Sequence, residues 1–237
     1  MASEPTGAPA AAPVAAPVPA PTAAPATAPA TTAAPADVVL RTPSKYISSS
    51  STPFSTFNAP PANWLVRTWS VTHSTLRMWR SAQNVRISYK LLPDDASGRP
   101  RNEDRVEYES NKGSGPKKIK SVEGNNVGGA TGDGTFDWRG KSWLFFVTSH
   151  WEILGWGERP LAGDKPGEVE RWVVTWFAPT LFTKEGIDFY SDRREGLSAE
   201  TTAALQTAIE KTAQWPAPLA TLAKDLLPVD INLPWSE

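Results

Sequence analysis

Trp64-Leu-Val-Arg-Thr-Trp-Ser-Val-Thr-His-Ser-Thr-Leu-Arg-Met-Trp79 is the stretch on which the fold turns. Trp69, Val71 and His73 fall at alternate positions, with Thr68, Ser70 and Thr72 between them. Successive side chains of a strand point to opposite faces, so this period of two predicts a half-buried strand over Leu65–Ser74. The next segment, Thr75 to Gln83, carries Leu76, Met78 and Trp79 and is expected to form a lid-like loop or short turn.

Downstream the same pattern recurs. Val85, Ile87, Tyr89 and Leu91 alternate with Arg86, Ser88 and Lys90, which predicts a strand with one wet face over Asn84–Leu92. Pro93 to Pro100, with two Asp and a Gly, reads as a hairpin turn. Asp104–Ser110 and Lys117–Glu123 are the next strands, and Gly124–Gly134 is a long loop or distorted strand. Phe136 to Trp138 precedes a turn at Arg139-Gly140-Lys141. Ser142–Gly157 is too long for one strand and should break near Ser149-His150. Glu170–Phe177 and Gly186–Asp192 close the series. About eight strands joined by short turns predict an all-β sandwich or barrel. A helix follows, with Ser198 as its cap, Glu200 in its first turn and Leu205 and Ile209 on one face; Pro216 ends it. Leu219, Leu222 and Leu226 mark a second short helical piece.

Upstream, residues 1–36 are almost entirely Ala, Pro and Thr. Such a segment has too few large apolar side chains to offset the entropy of ordering it, so a disordered tail is expected. Residues 37–62 read as a linker whose Tyr46, Ile47, Phe54 and Phe57 lie against the domain. The barrel and helix occupy 63–214, and 215–237 forms a C-terminal tail with a short helix. The head lacks the basic n-region and compact apolar run of a secretory signal. Cysteine is absent from the sequence, which removes disulfides and thiolate metal sites. With no apolar run long enough to span a bilayer, a cytoplasmic protein is the expectation. Lys+Arg 24 against Asp+Glu 25 gives no electrostatic case for nucleic acid as the partner. Lys117, Lys118 and Lys120 read as the solvent face of a strand. All 11 Trp lie after residue 63, in a number that suggests pocket walls as well as core.

Three stretches resemble the lipocalin branch of the calycins, and proteins of fungal type in particular. Arg67-Thr68-Trp69 is similar to that family's Gly-x-Trp on the first strand. Glu170-Arg171-Trp172-Val173-Val174-Thr175-Trp176 is placed like its penultimate strand, and Asp188 to Glu200 like its closing strand running into the helix. The glycine is replaced by Arg67, and the family's Thr-Asp-Tyr element is missing. The resemblance implies an eight-stranded antiparallel up-and-down barrel with a C-terminal α-helix on the outside. It also implies a barrel floor in which Trp69 is covered by Arg193, or by Arg194, the spacing leaving that choice open.

Such a barrel has room for one small ligand when side chains leave its interior unfilled. Alternation would put Val71, His73, Tyr89, Trp151, Trp172, Trp176 and Phe189 on a ligand-binding inner wall. Binding of a small hydrophobic or aromatic molecule is the leading reading. A cofactor-independent barrel enzyme, an isomerase or cyclase of lipid or natural-product chemistry, is the alternative; an interaction scaffold with a filled barrel is the third. The two histidines, His73 and His150, with Glu152, are the catalytic candidates because imidazole titrates near neutrality. Without Cys or a His-Glu-x-x-His motif no metal site is expected. No cofactor is expected either, since the glycine-rich loop lacks Gly-Lys-Ser/Thr for cradling phosphate, and the absence of Gly-x-Ser-x-Gly excludes an α/β-hydrolase nucleophile.

Overall fold

The computed structural model describes residues 38–47, 57–112, 117–130, 132–161, 167–211 and 215–236. The Ala/Pro/Thr-rich head and Phe54 lie outside them. Eight strands follow one another: β1 (Thr68–Ser74), β2 (Ala82–Leu92), β3 (Arg101–Ser110), β4 (Ile119–Gly128), β5 (Thr135–Gly140), β6 (Thr148–Pro160), β7 (Val169–Phe177) and β8 (Gly186–Ser191). Each pairs antiparallel with the next, and β1 pairs with both β8 and β2, with Val71 opposite Tyr190 and Trp69 opposite Ile87. The sheet therefore closes into an up-and-down barrel. Closure removes the free edges that an open sheet would expose.

The long segment after Lys141 breaks earlier than its length suggests. Residues Ser142–Leu144 form a tight 3-10 turn, and β6 then runs unbroken through His150. A single turn, α1 (Ala62–Leu65), leads into β1. Helix α2 (Ala199–Lys211) carries Glu200 in its first turn, and Ser198 Oγ accepts from the Thr201 amide at 3.2 Å, the predicted cap. Helix α3 (Ala217–Ala223) follows Pro216.

The C-terminal tail takes part in the wall. Strand β9 (Leu227–Pro228) pairs with His73 and Ser74 where β1 parts from β2. The Asn84 amide then donates to the Asp230 carbonyl at 2.8 Å, so the tail fills the split between the two strands.

Two apolar layers result. Trp69, Val71, Ile87, Tyr89, Trp151, Val173 and Tyr190 form the inner one. Trp172, Val174, Trp176, Ile187 and Phe189 form an outer one, covered by Leu205, Ala208, Trp215 and Leu219 of the helical segment and by Leu40. Residues 38–47 strap across β6: the Arg41 amide donates to the Leu154 carbonyl at 2.9 Å. Gly155 permits this approach, since a Cβ there would lie 2.6 Å from Leu40 Cδ2.

Candidate ligand-binding site

One end of the barrel is closed. Trp69 is fully buried there, and its Nε1 donates to the Leu65 carbonyl of α1 at 2.9 Å. The cation over its ring is Arg67, 5.4 Å from the centroid, which also lies 5.3 Å from Trp64. This corrects the expected floor. Arg193 turns away to Glu195 at 2.5 Å and Glu170 at 3.8 Å, and Arg194 lies over Trp235. The residue that replaces glycine supplies the lid that the resemblance assigned to the closing strand.

Between floor and mouth lies a cavity of about 170 Å³. Val71, Tyr89 and Trp151 line it, three of the residues expected there. Trp151 is held from two sides. Its Nε1 donates to Asn126 Oδ1 at 2.8 Å, and its ring stacks on Phe136 at 4.3 Å. Leu76 and Trp79, from the turn Arg77–Ser81 that follows β1, line the cavity at the mouth, and Trp79 rests against Tyr108 at 5.1 Å. The other loops at this end present exposed Trp143, Phe145, Phe146, Leu181 and Phe182, so the entrance is rimmed by apolar side chains.

Four expected wall residues face the other way. On β7 the inward set is Val173, Thr175 and Phe177; Trp172 and Trp176 belong to the layer beneath the helices. On β8 Asp188 and Tyr190 point inward and Phe189 outward. His73 is displaced by a β-bulge at Thr72: Val71 pairs with Tyr190, but His73 pairs with Phe189 and packs on that ring at 5.5 Å. One inserted residue reverses which face every later side chain takes. Burial holds the His73 imidazole below its usual pKa.

His150 and Glu152 also lie outside the barrel, where they tie down the strap. His150 Nδ1 meets Asp137 at 2.9 Å and its Nε2 meets Glu152 at 3.3 Å. Glu152 pairs with Arg41 at 3.1 Å and accepts from the Ser44 amide at 3.0 Å and from its hydroxyl. The Glu152 hydrogen bond, helped by Asp137, raises the His150 pKa to about 8 against the cost of burial. Burial pushes Glu152 up, but hydrogen bonds from His150 and Ser44 and the Arg41 charge leave it below the usual carboxylate range. These groups are occupied in binding one segment of the chain to another.

The cavity has titratable groups of its own that the sequence pattern concealed. Asp104, Asp188, Tyr89 and Tyr190 all line it. Burial raises both carboxyls to about 7, against the opposing hydrogen bonds of Asn126 on Asp104 and Ser74 on Asp188. Burial also lifts both phenols well above their ordinary value; they hydrogen-bond each other and feel both aspartates. Among the described residues no cluster of His, Cys, Asp and Glu could hold a metal ion, and no helix is long and apolar enough to cross a membrane.

No protein-family model and no curated protein matches the chain. Solved structures similar to it include lobster apocrustacyanin A1, at 10% identity over 73% of this chain and 81% of that one, with a TM-score of 0.40. Apocrustacyanin C2 is similar at 10% identity over 85% and 94%, TM-score 0.44. The siderocalin Ex-FABP is similar at 10% identity over 65% and 90%, TM-score 0.35. Likeness at this level carries no information on ligand, and the fold stands on the strand pairings above.

Proposed function

We propose that the barrel binds one small molecule built around a single aromatic ring. The observation that carries this is the cavity itself, about 170 Å³ of space walled by Trp79, Trp138, Trp151, Tyr89 and Tyr190. A dry cavity of roughly 150 Å³ is known to take up benzene, so the space matches one ring with a short substituent. A long acyl chain would need the wall to move. Concave, mostly apolar sites with a few polar groups are the usual form of small-molecule pockets. The cavity favours a container over the filled-barrel scaffold, and the kinship with fungal-type lipocalin-like proteins rests on the three quoted stretches.

Titration with ethylbenzene tests the reading. Tryptophan emission should shift saturably at one molecule per chain, because several cavity walls are indoles. Linear, unsaturable quenching would remove the container function.

A further inference from the structure

We propose that the molecule held in the barrel carries an amine, and that Asp104 and Asp188 receive its ammonium group; this rests on the barrel being a container. The argument begins with how the chain treats its other buried acids. Glu152, Glu109 and Glu170 are essentially inaccessible, and each has a cation beside it: Arg41 at 3.1 Å, Arg86 at 3.6 Å and Arg193 at 3.8 Å. Asp104 and Asp188 are buried too, at 7% and 4% exposure, yet among the described residues no ion pair reaches either one. Their partners are neutral. Asn126 Nδ2 donates to Asp104 Oδ2 at 3.3 Å, and Ser74 Oγ donates to Asp188 Oδ1 at 2.5 Å. Asp104 Oδ1 has no hydrogen-bond partner.

A buried carboxylate without a counter-charge is costly, and a half-satisfied one more so. Both side chains line the same cavity, so one guest can supply what the protein withholds. The rest of the wall suits a cation as well. Trp79 and Trp138 also line the cavity, and an indole ring attracts positive charge. Tyr89 and Tyr190, the other titratable groups on this wall, stay neutral at ordinary pH and hydrogen-bond each other. With both carboxyls titrating at about 7, a bound ammonium needs only modest work to ionise its receptor. The class that fits is a single-ring arylalkylamine.

Calorimetric titration of the full chain near neutral pH with 2-phenylethylamine and with ethylbenzene separates the possibilities. The amine should bind about tenfold or more tightly than the hydrocarbon, the range expected of a hydrogen bond to a charged group. Asp104→Asn and Asp188→Asn, close in shape to the native residues, should each remove most of that preference. Because the wild-type comparison needs no variant, a variant that fails to fold leaves the test intact. Ethylbenzene binding as tightly as the amine would overturn the amine assignment and leave the container standing. Binding of neither would overturn both.

Discussion

Arg67 sits where the resembled family has glycine, and its guanidinium lies beside the rings of both Trp64 and Trp69. Trp69 has no exposed surface, whereas Trp64 is only partly buried and packs on it at 5.3 Å. Trp69→Ala should therefore cost about 3–5 kcal/mol in denaturant unfolding, and Trp64→Ala clearly less. Equal losses would show that Trp69 is not the floor. The alternation of Trp69 and Val71 in the sequence matches the two inward positions that the structure buries before the bulge. The cation was misplaced for a physical reason: a residue two positions before Trp69 reaches its ring as readily as one from the far strand. Asp104 and Asp188 were illegible. An acid between apolar neighbours, as in Ile187-Asp188-Phe189, reads as the solvent face of a strand when its flanking residues look like the core.

At the scale of elements, β7 shows how a fully buried strand defeats the alternation rule. Its outer stripe, Trp172, Val174 and Trp176, is as apolar as any inner wall because α2, α3 and the strap cover it. Strands buried on both faces lose the contrast that tells inside from outside. Strand order, hairpin connections and the capped helix were legible from local periodicity and turn residues. The bulge at Thr72 was not, since nothing local to β1 announces it. Strand β7 also anchors the helix. Glu170, fully buried, accepts from the Ser198 amide at 2.8 Å and from the Ser198 and Thr201 hydroxyls. Glu170→Ala strands these donors, and a loss of about 3 kcal/mol is expected, with Glu170→Gln intermediate. Unfolding measurements that leave Glu170→Ala at wild-type stability would detach α2 from this account.

For the molecule as a whole, the cavity carboxyls link stability to pH. Both aspartates hold protons to about pH 7 when folded but release them near 4 when unfolded, so the native state binds more protons between those values. Stability in the ligand-free protein should then fall as pH rises from about 4 to about 7, by a few kcal/mol per group at most. His150, raised to about 8, adds a loss of the same sign at the upper end. His73, lowered by burial, works in the opposite direction. The acids held below their usual range, such as Glu152 and Glu103, act only at lower pH. Melting temperatures across this window should flatten in the Asp104→Asn/Asp188→Asn double variant; an unchanged slope would show that the pair does not titrate as its burial implies.

That the barrel encloses usable space is tested most directly by the indole N–H signals in a nitrogen–proton correlation spectrum during titration with ethylbenzene. The signals of Trp79, Trp138 and Trp151, which line the cavity, should move together and saturate. Those of Trp172, Trp176 and Trp215, under the helices, should stay in place. Movement confined to the outer set, or no saturable movement at all, would contradict the container.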